Sequence, residues 1–120
     1  MEKYDLIVIG AGPSGYAAAM RAVDFKKKTL LIERDTLGGA GITNGALSSK
    51  TWWELSRDML AFRKNLKRYG MTPPAAIWKE IQTEVNSAVS EKVGLLVDHL
   101  DHLKANQSFT KHLHFVKGEA

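Results

Sequence analysis

Between Tyr4 and Glu33 the chain carries a pattern that few folds accommodate. An apolar run, Tyr4-Asp5-Leu6-Ile7-Val8-Ile9, leads into Gly10-Ala11-Gly12-Pro13-Ser14-Gly15. The run has no polar alternation, as expected for a strand covered on both faces of a parallel sheet. Gly10 ends it, and Pro13 suits the first turn of a helix, where its missing N–H costs nothing. That helix continues through Ala17-Ala18-Ala19-Met20 to about Phe25. Lys26-Lys27-Lys28 then puts positive charge at its negative end. Thr29 to Glu33 is a second buried strand. Strand, glycine turn, helix and strand make a right-handed βαβ crossover.

The turn fits G-x-G-x-x-G, a weak signal alone and a meaningful one between a strand and a helix. Gly10 permits the tight turn, Gly12 leaves room for a pyrophosphate, and Gly15 lets the helix approach the strand. The free N–H groups of the helix face the anion. Glu33 follows Gly12 by 21 residues, where a carboxylate accepts hydrogen bonds from ribose hydroxyls and repels a 2′-phosphate. Pro13, Ser14 and Arg34, beside these groups, complete the cofactor-binding candidates of this unit. The competing reading is a plain glycine-rich turn with a solvated Glu33. The turn by itself does not separate FAD from NAD.

Residues 36–50 hold Gly38, Gly39, Gly41 and Gly45, a loop whose backbone comes close to something or a flexible linker. It runs into a helix striped by Trp52, Leu55, Met59, Phe62 and Leu66, ending near Gly70 before Pro73-Pro74. A second long helix spans about Ala75 to Ala105, striped by Trp78, Ile81, Val85, Val89, Val93, Leu96, Leu100 and Leu103. The pair forms an antiparallel hairpin over 51–106. His112 to Lys117 reads as a third strand. The expected fold class is α/β: an incomplete Rossmann-like FAD/NAD(P)-binding fold, with a parallel sheet and a helical hairpin insert.

Composition narrows the chemistry. With no cysteine, a disulfide scaffold, a thiolate metal site and dithiol redox chemistry are excluded for these residues. No apolar run reaches the roughly 20 residues that span a bilayer, so no membrane partner is expected. The N-terminus lacks a secretory pattern, which places the expectation in the cytoplasm or an organelle matrix. The net charge of +4 comes largely from Lys26-Lys27-Lys28 and from Arg63, Lys64, Lys67 and Arg68. Such runs read as solvated helix faces, and no nucleic-acid partner is expected. His99 and His102 share a helix face and His112 and His114 alternate on a strand; without carboxylates tied to them, no metal site is assigned. Ser14, Ser48 and Ser49 have no associated base to make a nucleophile.

Tyr4-Asp5-Leu6-Ile7-Val8-Ile9, Gly10-x-Gly12-Pro13-x-Gly15-Tyr16, Leu37-Gly38-Gly39 and Ser49-Lys50 together resemble the flavin-dependent pyridine nucleotide-disulfide oxidoreductases. The likeness is closest to dihydrolipoyl dehydrogenases and spans almost the whole chain. It implies the first part of an FAD domain, with FAD at Gly10, Gly12, Gly15 and Glu33. Backbone N–H groups of Gly38 and Gly39 would reach the FAD pyrophosphate. It also implies that Lys50 lies beside the flavin ring, where a cation stabilises negative charge on reduced flavin. The family's two loop cysteines correspond to Gly41 and Ala46, so the spacing survives without either sulfur. A thiol–disulfide relay needs an attacking thiolate and a second sulfur to take the electrons. Neither residue serves. Ser48 stands where the family has proline.

Members of that family are several times longer than 120 residues, so the expectation is a fragment or truncated reading frame. NAD(P)H would be a partner only of a longer chain, and a homodimer is compatible with the resemblance. Three functions stay open: the FAD-binding part of a cysteine-free flavoprotein oxidoreductase, a nucleotide-binding module without turnover, and a degenerate homologue whose hairpin is an interaction surface.

Overall fold

A computed structural model describes residues 2–75, 78–106 and 111–120. Strand β1 (Leu6–Ile9) leads into helix α1 (Pro13–Asp24) and strand β2 (Thr29–Glu33). Helices α2 (Gly39–Ile42), α3 (Ala46–Arg68) and α4 (Trp78–Ala105) follow, and strand β3 (Leu113–Lys117) closes the order. The sheet is three-stranded and parallel, with β2 in the centre. Ile9 pairs with Ile32 and Ile32 with Val116. All three strands therefore end at the same edge, where open α/β sheets take their ligands.

One face of this sheet is built as the βαβ pattern requires. Val8, Leu31 and Phe115 align in register and point to one side because side chains alternate along a strand. Ala19 and Val23 of α1, Leu100 of α4, Leu37 and Leu113 join Leu31 in a single buried cluster. Tyr16, Leu96 and Leu103 pack around it. The small residues of α1 matter here: Ala19 has no exposed surface and lets the helix lie close on the strands.

The other face departs from expectation. Ile7 is 55% exposed and Ile9 71% exposed, and Val116 is also exposed. β1 was expected to be covered on both faces, yet it lies at the edge of the sheet with helices on one side only. An apolar run without alternation marks a strand that can be covered twice; it does not provide the second layer.

The hairpin expectation holds in outline, and its packing does not. The first turn of α3 contacts α2 beside the sheet, and the last turns of α4 return to the core cluster, so the pair runs out and back. Trp52 and Trp78 stack with ring centroids 4.7 Å apart. Yet α3 contains no buried residue, and α4 has Val85 and Leu100 alone. Phe62 and Trp78, read as stripe positions, are exposed. Two helices cannot bury both stripes in each other, and most of the hairpin projects from the sheet. The radius of gyration is 20.2 Å, against about 14 Å for a compact chain of this length.

Residues 36–50 are not a continuous loop. Gly39–Ile42 forms one helical turn and α3 already begins at Ala46, several residues before the expected start. Thr43 and Thr51 return their hydroxyls to the carbonyls of Gly39 and Leu47, which lets hydroxyl residues sit within helical turns. The start of the second long helix, expected near Ala75, falls partly outside the described residues; α4 is described from Trp78.

Candidate anion and nucleotide site

The turn after β1 has the geometry its glycines suggest. Gly10 adopts φ +92, a region that L side chains disfavour, and its N–H donates to the Ile32 carbonyl at 2.7 Å. A Cβ on Gly15 would overlap the Gly10 carbonyl oxygen and lie 3.2 Å from Val8 Cγ1. Gly15 is thus the point of closest approach between α1 and β1. A Cβ on Gly12 would meet nothing within 4 Å. Gly12 also caps α1 with no side-chain hydrogen bond, and Pro13 begins the helix. The first-turn N–H groups of α1 are left for an acceptor from outside, in front of open space. Ser14, on that first turn, is exposed.

Glu33, at the end of β2, is 9% exposed. One carboxylate oxygen accepts the Ala11 N–H at 2.6 Å and the other accepts the Asp35 N–H at 2.8 Å. The backbone N–H of Asp35, helped by those of Ala11 and Arg34, holds the carboxyl below its ordinary range despite partial burial. The group is therefore an anion at neutral pH, fixed in orientation by the backbone of the turn. Each carboxylate oxygen has a further lone pair for a hydroxyl donor.

The glycine segment closes on this turn by backbone contact. The Gly38 N–H donates to the Ala11 carbonyl at 2.8 Å, and the Gly39 N–H to the Thr36 carbonyl at 3.1 Å. A Cβ on Gly39 would lie 3.2 Å from Gly12 Cα, and one on Gly41 2.6 Å from Pro13 Cγ. This corrects one expectation. The Gly38 and Gly39 N–H groups join the two segments together and are not aimed at a bound phosphate. Their glycines permit the close approach itself.

Two cavities flank Glu33. One of about 530 Å³ is lined by Glu33, Arg34, Thr36, Gly39, Thr43 and Asn44. Another of about 270 Å³ lies between Ile9, Gly10, Ile32 and the segment Gly118-Glu119-Ala120. Thr36, Asn44 and the Gly118 segment were not singled out from the sequence. The signal was available for the last: a third parallel strand ending at Lys117 must bring Gly118 to the sheet's ligand-binding edge. Arg34 is exposed and pairs with Glu119 at 3.2 Å and with Asp35 at 3.3 Å. Its guanidinium bridges the ends of β2 and β3 at the rim of both cavities.

Lys50 is exposed on the second turn of α3. Among the described residues no group of three or more His, Asp or Glu is placed to hold a metal. His99 bonds the Tyr16 hydroxyl at 2.8 Å, His102 the Asp98 carbonyl at 2.7 Å, and His114 the Tyr4 hydroxyl at 2.8 Å. No helix of the described chain is long and apolar enough to cross a membrane.

Comparison with known proteins agrees with this geometry. The family model for FAD dependent oxidoreductases matches residues 5–114. Dihydrolipoyl dehydrogenase of Mycoplasma pneumoniae is 33% identical over 94 residues, covering 76% of this chain and 20% of that enzyme. That of Trypanosoma brucei brucei is 29% identical over 118 residues, covering 98% of this chain and 24% of the enzyme. Among solved structures, the Cu(II) complex of the HOCl-induced flavoprotein disulfide reductase RclA from Escherichia coli superposes over 100% of this chain and 22% of its own, with TM-score 0.71 and 18% identity. LpdA of Mycobacterium tuberculosis gives TM-score 0.69 at 22% identity, over 95% of this chain and 23% of its own. These two likenesses establish the fold. The chain spans about a fifth to a quarter of the length of these proteins. With a matched family model across most of its length and a strand–turn–helix built as that model requires, the chain belongs to the FAD dependent oxidoreductase family.

Proposed function

We propose that this chain is the FAD-binding portion of a flavin-dependent NAD(P)H oxidoreductase that works without a redox-active disulfide. The observation that carries the reading is the preset Glu33 carboxylate beside the uncapped N-terminus of α1. The α1 N-terminus and Gly12 suit the pyrophosphate, and Pro13 and Ser14 form the turn that presents those N–H groups. Glu33 suits the adenosine ribose, with Arg34 at the rim of its cavity. Gly38 and Gly39 support the cradle from behind. FAD would supply two-electron hydride chemistry, and Lys50 would steady negative charge on its reduced ring.

Gly41 and Ala46 stand where the resembling family has its cysteines, so electrons would leave the flavin directly for the acceptor. NAD(P)H is the electron donor of the longer protein in this reading. The chain would act as a homodimer in the cytoplasm or an organelle matrix. The test is the visible spectrum of the purified chain after incubation with FAD and removal of free flavin. Co-eluting flavin absorbance is expected. A colourless chain that binds neither FAD nor ADP would overturn the reading and leave the hairpin as an interaction surface only. Loss of flavin colour on adding NAD(P)H to the longest natural chain would separate an enzyme from a binding module.

A further inference from the structure

The helical hairpin is the least satisfied part of the molecule. α3 has 23 residues and none is buried. Two grooves run along the seam between α3 and α4, and both share the apolar floor of Met59 and Ile81. Their rims differ in sign. One, of about 390 Å³, is edged by Asp58, Glu80 and Glu84. The other, of about 340 Å³, is lined by Trp52, Leu60, Trp78 and Arg63. At 100° per residue, Lys67 lies on the same side of α3 as Arg63, one turn further on. Among the described residues, none of Asp58, Glu80, Glu84, Arg63 and Lys67 forms an ion pair within the chain.

We propose that the acidic groove of one hairpin receives the basic, aromatic side of the hairpin of a second copy of this chain. Glu80 and Glu84 are spaced i,i+4 on α4, and Arg63 and Lys67 are spaced i,i+4 on α3. Side chains so spaced stand about 5–6 Å apart, so the two pairs match when the helices lie side by side. The contact would cover the exposed Leu60, Phe62 and Trp78 and give the two helices the further neighbours that a helical bundle needs. Charge selects this occupant over an anionic lipid surface or a nucleic acid. Either of those would meet Arg63 and Lys67 well and be repelled by Asp58, Glu80 and Glu84. A second copy satisfies both sides. The two surfaces are different, so the contact is heterologous and extends beyond two copies unless the rotation closes it. It deepens the homodimer reading by naming a surface, and it does not depend on FAD.

The test is sedimentation velocity of the 120-residue chain over a concentration series at low and high salt, with two charge-reversed variants. The wild type is expected to self-associate, and to do so at least ten-fold more weakly in high salt. Arg63→Glu with Lys67→Glu makes both sides acidic, and Glu80→Lys with Glu84→Lys makes both basic. Each is expected to stay monomeric with unchanged helical circular dichroism, because these side chains are exposed. Mixed together, the two are expected to form a mixed complex, which a folding defect would not produce. A monomeric wild type overturns both this contact and the homodimer reading. Variants that associate like the wild type overturn the contact alone and move the interface elsewhere, with the uncovered Ile7 and Ile9 face the next place to look. Failure of the mixture to associate also overturns it, and so does binding of the wild type to anionic vesicles without self-association.

Discussion

Glu33 Oε2 accepts the backbone N–H of Ala11 at 2.6 Å, joining the end of β2 to the middle of the glycine turn. The residue expected to read a ribose therefore also fixes the turn expected to hold the phosphates. Replacing Glu33 by Ala should leave the Ala11 and Asp35 N–H groups without their acceptor, at a cost of about 1–3 kcal/mol. Glu33→Gln keeps one acceptor oxygen and should cost less. Urea unfolding of both variants measures this, and equal stability of all three proteins would contradict it.

The same contact sets a pH dependence. Backbone N–H groups hold the Glu33 carboxyl below its usual value of 4.5 in the folded chain. A lowered folded-state pKa stabilises the fold above the unfolded-state value, and that contribution is lost as pH falls through the folded-state value. The melting temperature of the wild type should therefore fall more steeply than that of Glu33→Gln once pH drops below about 4.3, the ordinary glutamate value. Parallel curves would remove Glu33 from the account.

Two glycines three residues apart should behave differently. Gly15→Ala places a methyl group against the Gly10 carbonyl and should destabilise by about 1–3 kcal/mol through overpacking. Gly12→Ala meets nothing within 4 Å and should change stability by no more than about 0.5 kcal/mol. Its methyl group would occupy the proposed pyrophosphate space, so ADP affinity should fall at least ten-fold. Thermal melts and calorimetric ADP titration separate the two effects.

The two sheet faces should also differ in cost. Leu31→Ala, in the fully buried centre of β2, should cost about 2–5 kcal/mol. Ile9→Thr, on the open face and 71% exposed, should fall within about 0.5–1 kcal/mol, nearer a surface change than a core one. Comparable losses would mean that Ile9 is covered in solution.

The βαβ unit was legible because each of its features is local. Pro13 and Gly10 act on their own dihedral angles, and Glu33 ends a run of apolar residues. Thr29–Glu33 is the strand the sequence marks, and α1 ends one residue before the expected Phe25. What failed depends on distant layers. Leu6 to Ile9 reads the same whether or not something covers Ile7 and Ile9. The stripe from Trp52 to Leu66 identifies an apolar side without saying that α4 covers only part of it. In the site, the Gly38 and Gly39 N–H groups went to Ala11 and Thr36, partners that no spacing rule points to. The engagement of both Glu33 oxygens by backbone was equally invisible in the sequence.

The most direct test of the central claim is calorimetric titration of the chain with ADP and with ADP bearing a 2′-phosphate. A turn that holds pyrophosphate on α1, with the anionic Glu33 at the ribose, should bind ADP and take the 2′-phosphorylated form at least ten-fold more weakly. Equal affinity for both, or no heat from either, would contradict it.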